Sequence, residues 1–276
     1  MELKQKLNNY LTSRTVVEKI ILINIIIYLC PFLFKTILFL FQINDFSIIN
    51  WFTIDANFEE FILKPWSLLT YGFLHGSFSH IFWNMIIFYY FGNIIQDIFG
   101  EKFLLNLFIS GIIVGGLTYF ISYNLFPAFK GINSVMIGAS AGVMSILFFL
   151  TAYNPKYPIR LIFFDVKILY IAIFLIFYDI TQIPLNNSGG HIAHIGGAVW
   201  GYYSFLNYNK ENNIIKSFLS FFNFKKNNKV SFDKKSNNFN QQKIDEILDK
   251  ISSSGYDSLS NSEKDYLFKA GKKNKK

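Results

Sequence analysis

Charged residues are sorted along this chain instead of scattered through it, and that sorting constrains the fold more than any other feature. Between about residues 15 and 208 long apolar runs alternate with short polar loops, and the lysines gather in the two terminal segments. A water-soluble globule spreads charge over its whole surface. Successive apolar runs near 20 residues are instead the pattern of a chain that crosses a bilayer several times. With 52% hydrophobic and only 16% charged residues, there is too little polar surface to clothe one soluble domain of this length.

Six runs fit, at roughly 16–41, 78–98, 103–125, 139–153, 163–184 and 190–208. Each is expected to be helical, because in hydrocarbon only a helix satisfies its own backbone groups. The expected fold is therefore an all-α membrane bundle of six transmembrane helices with a short fourth helix. That helix, from Ala139 to the stop at Asn154-Pro155, has about 15 residues and spans roughly 22 Å, against about 30 Å of hydrocarbon. Lys4, Lys6, Arg14, Lys19, Lys102, Lys156, Arg160 and the lysine-rich tail fall on one side, which predicts both termini in the cytoplasm. The first run lacks a cleavage-site pattern and reads as a retained anchor.

The organisation expected is a cytoplasmic segment 1–15, a membrane domain 16–208, a flexible linker 209–243 and a helical appendage 244–276. Phe218, Phe221, Phe222 and Phe224, among lysines in the linker, suit a membrane surface. In the appendage, Ile244, Ile247, Leu248 and Ile251 share a helix face. Gly255 ends that helix, and Ser260-x-x-Glu263 caps a second. The formal charge of +8 favours anionic lipid headgroups, and nucleic acid is not an expected partner. A lone cysteine, Cys30, leaves no intramolecular disulfide to form.

Polar residues inside a bilayer are costly and mark function. Here they cluster toward the outer ends of three separate runs: "HGSFSHIFWN" (75–84), "GASAG" (138–142) and "GGHIAHIGGAVWG" (189–201). His80 and Asn84, four apart, share one helix face. Gly138-x-x-x-Gly142 and Gly197-x-x-x-Gly201 are small-x-x-x-small patterns that let two helices approach closely, which would bring Ser140 and His194 within proton-transfer distance. A serine opening a helix also has free backbone N–H groups beside it for an oxyanion. Structural alternatives stand beside these readings: Ser140 as a cap or crossing residue, His194 as a packed histidine, His80 and Asn84 as helix-bridging donors, and the four histidines as a metal site. His75 reads as loop structure and His191 as exposed. Neither Asp97 nor Asp179 has a spacing that ties it to His194.

With these motifs in this order, the sequence resembles the rhomboid family of intramembrane serine proteases over about residues 64–205. The resemblance rests on "KPWSLLTYGFLH", "HGSFSHIFWN", "GASAG" and "AHIGGAVWG". It implies a Ser–His dyad without a third carboxylate: Ser140 as nucleophile, His194 as base, and His80, Asn84 and the Ser140 N–H holding the oxyanion. The reaction implied is hydrolysis of a peptide bond in or beside a substrate's transmembrane segment, in a bacterial inner membrane, at a site open to the outer face and with no metal, nucleotide or other cofactor. An inactive rhomboid-like protein that binds transmembrane helices is the alternative, with a small-solute transporter as a third class. The tail is similar to the helical appendage of some Bacteroidetes rhomboids, and a cytoplasmic partner is its expected role. Three positions depart from the family pattern: Ser67 after Trp66, Ala141 after the nucleophile, and Met144 where an aromatic commonly stacks on the base.

Overall fold

A computed structural model describes residues 13–43, 48–160, 164–209 and 241–273. The expected segment before residue 13, most of the linker and the Phe218–Phe224 aromatics lie outside the described residues. The chain divides into two compact units, 1–224 and 225–276.

The first unit is built on six helices longer than ten residues among the described residues: α1 (Val16–Leu40), α4 (Phe78–Phe99), α5 (Glu101–Leu125), α6 (Ser140–Tyr153), α7 (Ile168–Gln182) and α8 (Ser188–Leu206). Two short helices, α2 (Phe58–Leu63) and α3 (Ser67–Thr70), occupy the connection between α1 and α4. By length and composition α1 and α5 can cross a membrane, and α6 and α7 are shorter apolar helices. Two strand pairs interrupt the all-helical expectation: β1 (Ile54–Asp55) with β2 (Val135–Met136), and β3 (Pro158–Arg160) with β4 (Asp165–Lys167), both antiparallel. The second pair corrects the expected start of the fifth run at 163. Asp165, Val166 and Lys167 are spent in β4, and the helix begins only at Ile168.

Helix α6 sits at the centre, packed most extensively against α8 and α5. It is buried nearly all round, from Ala141 through Leu147 and again from Phe149 to Thr151, as a helix enclosed by others must be. Its own Leu147 and Phe149 join Phe88, Phe108 and Ile112 of the neighbouring helices in one continuous apolar core. By contrast α7 buries only Ile168, Ala172 and Asp179.

Close helix approach depends on missing side chains. A Cβ on Gly197 would strike the Ala141 carbonyl oxygen, and one on Gly201 the Ser145 carbonyl oxygen. Both are backbone atoms of α6 that cannot swing away. On the opposite side, Gly111 and Gly115 of α5 receive Ser145 and Ala141. Ala141 is therefore accommodated between two glycines, which explains how the chain tolerates it there. The Ser145 hydroxyl pins α6 to α5 by donating to the Leu107 carbonyl at 2.8 Å.

The other expected pair, Gly138 and Gly142, does not line the α6–α8 contact. Helix α6 starts at Ser140, so Gly138 precedes it, and Gly142 turns toward Phe108 of α5. Trp66 and Thr70 anchor their loop, while the Ser67 hydroxyl is buried without a partner among the described residues. The Trp66 indole donates to the Trp51 carbonyl at 2.8 Å, and Thr70 Oγ1 to the Phe52 carbonyl at 2.9 Å.

In the second unit α9 (Gln241–Ser254) ends at Gly255, whose φ of 79° suits glycine, and α10 (Asn261–Lys273) follows. Ser260 and Glu263 form a reciprocal cap: the Glu263 N–H donates to Ser260 Oγ, and the Ser260 N–H donates to Glu263 Oε2 at 2.7 Å. Lys250 Nζ of α9 also donates to Glu263 Oε1 at 3.0 Å.

Gly201→Ala is expected to destabilise the bundle by about 1–3 kcal/mol, because the collision is with backbone. A lowered melting temperature in detergent checks it. The Ser260 N–H, then the Lys250 ammonium, hold the Glu263 carboxyl down at about 2. A depressed carboxyl stabilises the folded form above its unfolded value of about 4.3, and that contribution disappears as pH falls toward 2. Amide protection across residues 244–267 of the full chain, referenced to the intrinsic exchange rate at each pH, should fall over that interval in wild type and less so in Glu263→Gln.

Candidate active site

Ser140 is the first residue of α6, and the loop delivering it is held from two directions. Strand β2 pairs with β1, and the Gly138 N–H donates to the Tyr71 carbonyl at 2.9 Å. Tyr71 is itself fixed by its hydroxyl, which donates to the Ile112 carbonyl at 2.6 Å. Gly138 has φ 131°, open to glycine and strained for other residues. The next N–H to close a helical bond is that of Val143, onto the Ala139 carbonyl, so the Ser140 N–H precedes the first hydrogen-bonded turn.

His194 lies in the second turn of α8, one turn before Gly197. Its Nε2 is 2.7 Å from Ser140 Oγ. The contact joins residues 54 apart in sequence and is set by the α6–α8 packing. The ring retains contact with solvent or lipid, with 24% of the side chain exposed.

His80 stands on the other side of Gly138. A Cβ at Gly138 would lie 2.8 Å from His80 Nε2 and 3.6 Å from Ser140 Oγ, so the imidazole and the hydroxyl border the same small space. Asn84, one turn further along α4, is buried, and its Nδ2 donates to the His80 carbonyl at 3.0 Å. One amide hydrogen is thereby committed to its own helix. His75 packs edge-on to His80 with ring centroids 4.9 Å apart and is buried, with no protein partner at either ring nitrogen.

Two residues that the sequence left aside join this group. Asp179 Oδ1 is 2.9 Å from His194 Nδ1 and 2.7 Å from His191 Nδ1. The expectation of no carboxylate beside His194 is thus corrected, as is the exposed reading of His191, whose side chain is only 12% exposed. The signal that could have found them is the short connection, residues 183–187, between α7 and α8. Antiparallel helices joined so tightly bring the last turn of one beside the first turn of the next. Met144 is buried in α6, and the ring edge-on to His194 is that of His191, centroids 5.8 Å apart.

Asp179, His191 and His194 are also the one His/Asp/Glu/Cys group among the described residues with ligand atoms close enough to consider for a metal, all within 4.8 Å. Two of these atoms are nearer to the shared oxygen than donors on a tetrahedral zinc, which bonds of about 2.1 Å set about 3.4 Å apart. The geometry present is that of hydrogen bonding.

Gly138→Ala should lower the melting temperature by a few degrees and, at matched folded fraction, slow modification of Ser140 by a fluorophosphonate at least tenfold. The new methyl meets His80, and φ 131° is denied to alanine.

The rhomboid domain family matches residues 63–208, more than half of the chain. A family of unknown function matches residues 228–273. The RHOMBOID-like protein 12, mitochondrial, of Arabidopsis thaliana is 34% identical over 170 residues, covering 57% of this chain and 48% of that protein. The chain thus spans about half the length of this relative.

Proposed function

We propose, from the premise that this chain belongs to the rhomboid family, that it is an intramembrane serine endopeptidase acting on transmembrane segments of other membrane proteins. The observation that carries the reading is the 2.7 Å contact between Ser140 Oγ and His194 Nε2. A serine hydroxyl attacks a carbonyl only with a base beside it, and here the base is in contact.

In this reading Ser140 Oγ adds to the scissile carbonyl as His194 Nε2 accepts its proton. The tetrahedral oxyanion is held by the Ser140 N–H, by His80 and by the uncommitted hydrogen of the Asn84 amide. His194 then gives the proton to the departing amine, and a water activated by the same nitrogen releases the acyl group from Ser140. The substrate helix must unwind locally to present its carbonyl, so substrates with small or helix-breaking residues at the cleavage site are favoured.

The six helices are read as six spans. The lysine and arginine distribution supports termini in the cytoplasm of a bacterial inner membrane and a site opening to the outer face. Residues 16–208 form the protease domain, 209–243 a linker and 244–276 an appendage that binds a cytoplasmic partner. The roles of Gly197 and Gly201 are to set the α6–α8 distance, and that of Gly138 is to shape the oxyanion loop.

A fluorophosphonate probe should label the wild type and fail on Ser140→Ala and His194→Ala. Asn84→Ala is expected to fold normally and to lower turnover by roughly 10- to 1000-fold, the loss of one oxyanion donor. Well-folded wild-type protein that resists the probe would mark an inactive relative that only binds helices.

A further inference from the structure

Resting on the roles just given to Ser140 and His194, we propose that Asp179 is the positioning residue for the His194 base and that His191 holds Asp179 in place. Four side chains on three helices then form one chain: Ser140 on α6, His194 and His191 on α8, Asp179 on α7.

Asp179 sits where a charge is costly. Helix α7 is otherwise largely exposed and apolar, and Asp179 is its one buried charged residue, 3% exposed. A carboxylate taken out of water is costly unless donors surround it. Asp179 receives two, both on the same oxygen.

The same hydrogen bonds select the tautomer of each imidazole. An ionised carboxylate can only accept, so both imidazoles must carry a proton on Nδ1. Nε2 of His194 is then left with its lone pair, and it faces Ser140 Oγ at 2.7 Å. A base on a rotatable bond can present either nitrogen or the wrong tautomer; one whose Nδ1–H is tied down cannot.

Charge develops on His194 during the reaction. When the Ser140 proton moves to His194 Nε2 and the Oγ electron pair forms the new C–O bond, His194 becomes an imidazolium. Its Nδ1 proton stays in place, 2.9 Å from the Asp179 oxygen. The attraction strengthens as the transition state forms, which is where an interaction raises turnover instead of affinity.

His191 has a different part. Its ring is edge-on to both His194 and Tyr178. Its bond to Asp179 orients the carboxylate toward His194 without touching Ser140. Removing it should loosen the chain, whereas removing Asp179 disconnects it.

The test uses the full-length protein in liposomes with a transmembrane peptide substrate, each variant matched for folded fraction by thermal melting. Asp179→Asn should lower kcat by about 10²- to 10⁴-fold with KM within about threefold of wild type. Asp179→Glu should recover part of the loss, and His191→Ala should cost on the order of tenfold. A purely structural fastening of α7 to α8 would lower the melting temperature of all three variants and spare kcat in the folded fraction. Independently of turnover, a low-field Nδ1 proton of His194, seen by NMR with ¹⁵N-histidine, should be present in wild type and lost in Asp179→Asn. An active wild type equalled in kcat by Asp179→Asn, or one without that resonance, overturns this proposal alone. A folded wild type that does not label at Ser140 overturns the peptidase reading and this proposal together.

Discussion

The backbone contact between α6 and α8 is what the rest of the molecule hangs on. Ala141 meets Gly197 and Ser145 meets Gly201, one turn apart on each helix, so the two helices are locked in a single register. Ser140 is next to the first contact residue and His194 one turn before its partner, so the register fixes the distance between them. A slip of one turn would move His194 by about 5.4 Å and separate the pair. No loop or ligand is needed to close the gap.

A second constraint is the treatment of polar groups in an apolar interior. The Trp200 indole donates to Ser110 Oγ at 2.7 Å, Tyr119 to the Ser134 carbonyl at 2.8 Å, and Tyr71 to the Ile112 carbonyl at 2.6 Å. Each bond satisfies a buried group and also pins one element to another. The hydroxyls of Tyr71 and Tyr119 fix the two ends of the path that leads to Ser140, because Tyr71 also receives the Gly138 N–H and Ser134 also receives the Ala56 N–H. His75 stands apart, enclosed beside His80 and unpaired by the protein.

Much of the helix pattern was legible because hydrocarbon-length apolar runs have one structural answer. The candidate site was legible in part, since glycine spacing on α8 and the His80–Asn84 interval each carry geometric content. What escaped did so for physical reasons. The β3–β4 pair hid inside an apolar stretch, betrayed only by the charged alternation of Asp165 and Lys167 around Val166. The pattern of Gly138 and Gly142 was read as a helix face, but backbone at φ 131° is not helical and the helix starts two residues later. Asp179 was invisible because a pairing across a helical hairpin depends on how each helix is rotated, which hydrophobicity alone does not fix for a helix as uniformly apolar as α7.

The enclosure of α6 separates two lengths that most membrane proteins must match. Its 14 residues rise only about 21 Å, yet from Ala141 to Leu147 and from Phe149 to Thr151 it is buried among its neighbours. The perimeter is set by longer helices such as α1, with 25 residues, and α4, with 22. In the six-span reading proposed above, a thicker or thinner bilayer is met by tilting at the perimeter, while the level at which Ser140 opens α6 is held by the neighbouring helices. In that reading, transfer between membranes of different thickness leaves the depth of that hydroxyl, measured from the protein's own rim, unaltered.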